Sequence, residues 1–258
     1  MNKVKENLKA GNTVVGCAGS PWVENMSLLA DSDYDFILYD TQHSTFMVKE
    51  FTQAIASMKG KNAAPIVRVS ANQPDLICFA LDAGARGIVV PMVNTKEEAE
   101  AMVRACKYAP LGDRSNAGIR GDWGIDIAEY TTKEKYREYL DMYNDEVVIA
   151  PMIETQQAID NIDEILSVDG IDVLLIGPSD LSIELGVSLD FESSEYEKGL
   201  DIIAEACKRH GVVPGMYFIP PTMDPNFFVD KGYKFFTMPW GNWANQGITE
   251  GLKAIKRK

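Results

Sequence analysis

Histidine is the scarcest chemistry-bearing residue in this chain: His43 and His210 are the only two among 258 residues. A zinc site built on imidazoles is therefore not expected, and any metal must rest mainly on oxygen ligands. Cysteine is nearly as sparse. Cys17, Cys78, Cys106 and Cys207 stand singly, with no CxxC pair. That excludes a disulfide scaffold and predicts reduced, mostly buried thiols in a cytoplasmic protein. Positive charge is short as well: 25 Lys and Arg face 38 Asp and Glu, a net charge of −13. The one basic cluster, Lys253, Lys256, Arg257 and Lys258, closes a helix-like stretch. A nucleic-acid partner, held by phosphate neutralisation, is not expected. No apolar run approaches the ~20 residues that span a membrane. The opening MNKVKENLKAGN reads as a polar helix rather than a secretory signal.

What the chain does have is repetition. Eight short β-branched runs recur: Thr13–Gly16 with Cys17, Asp35–Asp40, Pro65–Val69, Gly87–Met92, Glu146–Ile153, Ile171–Gly177, Val212–Tyr217 and Lys234–Met238. Most are continuously apolar, the pattern of strands covered on both faces. Helical patterns lie between them over Met47–Gly60, Pro74–Gly84, Thr95–Lys107, Thr155–Val168, Glu195–His210 and Asn242–Lys258. Thr95 with Glu98 forms a capping box, and Gly211 is the expected stop after His210. Strands alternating with helices imply βαβ units. Eight of them fit one closed (β/α)₈ barrel, typically ~250 residues. A doubly wound open sheet is the competing fold, but no GxGxxG or Walker loop supports it. No linker or low-complexity stretch divides the chain, so residues 1–258 are expected to form a single domain. About 109–145, beginning YAPLGDRSNAGIRGDWG and continuing as a polar helical stretch over Ile125–Tyr143, reads as an insertion at an interface.

In such barrels the chemistry sits at the C-terminal ends of the strands. The polar residues predicted there are Asp40, Gln42, His43, Arg68, Glu154 and Asp180. Glu154 and Asp180 end neighbouring strands, which lie ~4.8 Å apart, so their carboxylates can converge. They can share a proton or hold a divalent cation. Without a histidine ligand, Mg²⁺, Mn²⁺ or Co²⁺ suits the pair better than Zn²⁺. Arg68 adds a permanent cation with a planar donor fork, and His43 a proton carrier near neutral pH. Together these groups can form an enolate from an oxo acid. His210 reads as a helix C-terminal charge. Met92, Met152, Met216 and Met238, near strand ends, read as barrel packing.

The segments DFILYDTQH, PIVRV, LDAGARGIVVPMV, ACKYAPLGDR, PMIETQQAIDNIDEIL and VDGIDVLLIGPSDLSIELG follow the order seen in class II pyruvate aldolases. From about Val14 onward the chain resembles the HpcH/HpaI aldolase family. The IET and GPSDL segments at their mutual spacing are the most specific parts. The resemblance implies that Glu154 and Asp180 bind the metal and that Arg68 meets the pyruvate oxygen. It implies that His43 acts through a water on the aldol hydroxyl, supported by Asp40. Asp82 is placed in the histidine's network, across a subunit interface, and the amides of Ser179 and Asp180 hold the pyruvate carboxylate. It also implies a hexamer, a trimer of dimers that exchange the C-terminal helix. Four features depart from the family pattern. Asp40-Thr41-Gln42-His43 replaces Asp-Gly-Glu-His. Met152 stands where glutamine is common, Gly112-Asp113-Arg114-Ser115 matches Gly-x-Arg-Gly only in part, and Pro239–Trp243 is unlike the heptanedioate enzymes.

The expected activity is metal-dependent, reversible cleavage of a 4-hydroxy-2-oxo acid into pyruvate, or a close 2-oxo acid, and an aldehyde. The competing readings are a related metal–enolate lyase of acyl-CoA or phosphoenolpyruvate type, and a non-catalytic barrel that binds an oxo acid. No lysine falls at a predicted strand end near the rim, so a Schiff base is not expected.

Overall fold

The computed structural model describes residues 2–118 and 126–253. Eight parallel strands close into one barrel in sequence order: β1 (Val14–Ala18), β2 (Phe36–Asp40), β3 (Ala64–Arg68), β4 (Gly87–Val90), β5 (Val148–Ile153), β6 (Val173–Ile176), β7 (Val213–Met216) and β8 (Phe235–Met238). β8 pairs with β1, with Val14 opposite Phe235. All eight expected strands are present, with bounds that differ by one or two residues at their ends. The fold is a (β/α)₈ barrel.

The apolar runs lack alternation because both faces are covered. All six residues of β5 are buried. Val148, Ala150 and Met152 join the cluster inside the barrel, while Ile149 and Ile153 join the larger cluster under the helices. The same period of two sends Leu38, Ile66 and Leu175 inward. Two residues further on, it brings Asp40, Arg68 and Gly177 to the inner rim. A side chain at Gly16 would collide with Phe36, a Cβ there meeting its ring at 2.3 Å. The bare backbone lets Phe36 stack on Phe235, with ring centroids 4.3 Å apart.

Outside the barrel lie α1 (Lys3–Lys9), α2 (Val23–Ala30), α3 (Val48–Ser57), α4 (Pro74–Asp82), α5 (Lys96–Cys106), α6 (Lys133–Glu146), α7 (Gln156–Asp160), α8 (Ile162–Leu166), α9 (Pro178–Glu184), α10 (Ser194–His210), α11 (Pro225–Asp230) and α12 (Trp240–Lys253). The Thr95–Glu98 capping box forms, and Gly211 ends α10 at φ 69°. The helix expected over Thr155–Val168 is broken. Asn161 leaves helical geometry, and its side-chain amide donates to the Asn94 carbonyl at 2.8 Å. That bond ties the chain after β5 to the loop after β4. Short α2, α9 and α11 carry too little periodicity to be read from sequence.

The segment after α5 is not a loose insertion. Tyr108, Tyr139 and Tyr143 make a small separate cluster. Arg114 lies over Tyr108, 4.6 Å from the ring centroid, and Asn144 bonds both the amide and the carbonyl of Tyr108. Part of this segment, 119–125, and the basic residues Lys256, Arg257 and Lys258 lie outside the described residues. The four cysteines are free, and Cys17, Cys106 and Cys207 are buried. Burial pushes each of these three thiols up to about 12. Among the described residues no helix is long and apolar enough to cross a membrane.

α1 closes the lower end of the barrel. Val4 and Leu8 pack into the interior cluster. Lys5 donates to the Val147 carbonyl at 2.8 Å and lies 3.2 Å from Asp172. Replacing Lys5 by Ala strands the Asp172 carboxylate in a mostly buried place. A loss of about 2–4 kcal/mol in denaturant unfolding is expected, below that of a fully buried pair because both groups keep some solvent.

Candidate active site

The upper rim gathers an arginine, three carboxylates and a tyrosine. Asp40 and Arg68 face one another on paired strands. Arg68 donates to Asp40 from Nε to Oδ1 at 2.8 Å and from Nη2 to Oδ2 at 2.6 Å. This planar two-bond pair ties the guanidinium to the carboxylate. Thr41 adds support, its amide and hydroxyl both donating to the Arg68 carbonyl. Burial alone would raise the Asp40 carboxyl. The hydrogen bonds and charge of Arg68 outweigh it and hold the group below the usual carboxylate range, helped by the amides of Gln42 and His43.

Glu154 follows β5 by one residue and is 1% exposed. Its Oε2 accepts the Met92 amide at 2.9 Å. Gly177, following β6, leaves room for the rest of the carboxylate: a Cβ there would meet Oε1 at 2.3 Å. Burial raises the Glu154 carboxyl above its ordinary range. The Met92 amide opposes this, the charge of Asp180 adds to it, and Arg68 and His43 pull the other way. Glu154 thus lies within electrostatic reach of Asp180, Arg68 and His43. No ion pair within 4.0 Å satisfies it among the described residues. A buried carboxylate with one amide donor is incomplete by itself.

That incompleteness suits a hard divalent cation, as does a donor set of two carboxylates. Among the described residues no three His, Cys, Asp or Glu side chains gather as a metal cluster. Glu154 and Asp180 are the two carboxylates at this rim that could hold such an ion. Asp180 lies in the first turn of α9 and is exposed. Pro178 has no N–H, and the first helical bond runs from Leu181 to Gly177. The amides of Ser179 and Asp180 therefore precede the helix's own bonding and remain available as donors.

The expected residues do not all meet. His43 is exposed, and its amide lies 3.4 Å from Asp40 Oδ1. Gln42 is half-buried, and its Oε1 accepts no hydrogen bond. Asp82 sits apart at the end of α4, paired with Arg114 at 3.0 Å on the outer flank. His210 pairs with Asp163, far from the rim in sequence and on the helical face.

Two contributors escaped the sequence reading. Tyr217, just past β7, donates its hydroxyl to Asp40 Oδ2 at 3.2 Å and stacks its ring on Arg68, 3.9 Å from the centroid. Counting inward by two from Gly215 would have found it. Met92 was expected to pack the barrel. Instead it is 46% exposed with φ 55°, a conformation uncommon outside glycine. It contributes its backbone amide, which a residue-type scan cannot see.

Comparison with known proteins matches residues 23–240 to the HpcH/HpaI aldolase/citrate lyase family. The chain is 36% identical to the hydroxypyruvate/pyruvate aldolase of Roseovarius nubinhibens over 83% of its own length and 81% of that protein's. It is 33% identical to the 4-hydroxy-2-oxo-heptane-1,7-dioate aldolase of Klebsiella pneumoniae, over 83% and 79%. A crystal structure of an HpcH/HpaI aldolase/citrate lyase family protein from Burkholderia cenocepacia superposes with a TM-score of 0.85 at 25% identity, covering 98% of this chain and 99% of that one. The family model spans most of the chain and the curated relatives are aldolases, so this chain belongs to the HpcH/HpaI aldolase/citrate lyase family and is an aldolase-type lyase.

Proposed function

We propose that this enzyme reversibly cleaves a 4-hydroxy-2-oxo acid into pyruvate, or a close 2-oxo acid, and an aldehyde, with a divalent cation held by Glu154 and Asp180. The observation that carries the reading is the buried, singly bonded Glu154 carboxylate beside Arg68 and Asp180. Bound there, Mg²⁺, Mn²⁺ or Co²⁺ supplies a Lewis acid that draws electron density from the 2-oxo group.

The chain's own residues do the rest. The Ser179 and Asp180 amides hold the substrate carboxylate. Asp40 occupies the Nε–Nη2 edge of Arg68, so the Nη1 side is left for the 2-oxo oxygen, where negative charge develops as the C3–C4 bond breaks. His43 takes the C4 hydroxyl proton through a water, the aldehyde leaves, and protonation at C3 yields pyruvate. Asp82, on the outer flank, acts on His43 from a neighbouring subunit. Exposed Trp243, Ile248 and Leu252 on α12 support a helix exchanged between subunits, in a hexamer built from dimers, with the tyrosine-lined insertion at an interface. The free thiols fit a cytoplasmic setting.

Excess chelator is expected to abolish aldol cleavage, and Mn²⁺, Mg²⁺ or Co²⁺ to restore it; full activity in chelator would overturn the metal role. Incubation with pyruvate and Mn²⁺ in D₂O should exchange the methyl protons, followed by NMR. Pyruvate binding without exchange would favour the non-catalytic barrel. Gly177→Ala, by pushing on Glu154, should weaken Mn²⁺ binding by roughly 10–100-fold in an EPR titration, the range seen when a ligand's support is lost. Arg68→Ala should lower kcat/KM by about 10²–10³, as for loss of an oxyanion donor.

A further inference from the structure

Arg68 has one edge left to offer, and the surroundings choose which. Its Nε–Nη2 edge is taken by Asp40. One face of the guanidinium lies on the Tyr217 ring. The nearest described partner of Nη1 is Met152 Sδ at 3.8 Å, a weak acceptor on the strand that leads into Glu154. Nη1 thus faces β5, the strand that runs into Glu154. Asp40 in turn accepts from Tyr217 at the oxygen that also accepts Nη2. The tyrosine therefore touches both members of the pair, one through its ring and the other through its hydroxyl. Burial pushes the Tyr217 phenol above its ordinary range, so the hydroxyl remains a donor.

We infer that Tyr217 is a positioning residue for the oxo-acid site: its ring and hydroxyl hold the Asp40–Arg68 pair in the one orientation that turns Nη1 toward the substrate oxygen. This rests on the reading of Arg68 as the group that meets the 2-oxo oxygen. A guanidinium stacked on an aromatic face loses less freedom when a ligand arrives, because its plane is already set. Asp40 alone leaves the pair able to swing together about the long arginine side chain. Tyr217, arriving from a strand on the other side of the mouth, supplies the third point that prevents it.

Two variants separate the ring from the hydroxyl. Tyr217→Phe keeps the stacked face, and Tyr217→Leu removes both contacts while keeping much of the bulk. With Mn²⁺ present, the Kd for pyruvate from calorimetry should rise about tenfold or more in Tyr217→Leu and stay within about threefold in Tyr217→Phe, a loss of one to two charge-anchored contacts. The Kd for Mn²⁺ alone, from EPR, should stay within twofold of wild type in both, and Tm should change little. In an Arg68→Ala background, Tyr217→Leu should add no further loss. A mere packing role predicts the same loss in both backgrounds. A crystal structure of Tyr217→Leu should show Arg68 rotated or in several conformers. The inference is overturned by unchanged pyruvate affinity, by an equal penalty without Arg68, by a parallel fall in Mn²⁺ affinity, or by an unmoved Arg68. If wild-type protein with Mn²⁺ failed to bind pyruvate, the proposed oxo-acid reading of the site would fall, and the Arg68 conformation would still decide the role of Tyr217.

Discussion

A strand in a closed barrel sends every second side chain inward, and most of this structure follows from that parity. The interior is filled by apolar side chains, from Val14 and Phe235 up to Met152. The last inward position on each strand is the only one that can carry a polar group without burying it beneath that packing. Asp40, Arg68, Glu154, Gly177 and Tyr217 occupy those positions. A register shift of one residue on any of these strands would turn its group away from the mouth into the largely apolar layer under the helices. The site and the core are thus one specification.

The electrostatics of the mouth are local. With a net charge of −13, the molecule as a whole does nothing to attract an anionic oxo acid. On the proposed reading, attraction must come from Arg68, from the amides at the start of α9 and from a cation at Glu154 and Asp180. Asp40 consumes half of the donor fork of Arg68, which costs attraction but gives direction. Glu154 is handled in the opposite way. It is left nearly alone in a buried place, with the Met92 amide as its one donor among the described residues, so its charge lacks a compensating partner within the chain.

Much of this was legible in the chain. Eight strands, their order and the positions of Arg68 and Glu154 followed from continuous apolar runs ending in a charge. What could not be read depended on backbone or on distant partners. Asn161 breaks a helix because its amide serves a loop 67 residues away in sequence. Tyr217 ends a strand as an ordinary aromatic would, and only closure of the barrel brings it onto Arg68 and Asp40. Asp82 was matched by its motif, but within one chain its partner is Arg114.

Met92 carries the remaining consequence. Holding a non-glycine residue at positive φ costs on the order of 1–3 kcal/mol. The surroundings fasten it there: Asn94 donates to the Met92 carbonyl, and Thr155, next to Glu154, donates to the Asn94 side chain at 2.5 Å. The bent loop and the carboxylate it grips form a closed circuit of bonds. Work done against the backbone during folding is thereby stored as preorganisation. The Glu154 carboxylate is already aimed, so a group that binds it would find the reorganisation completed before it arrives.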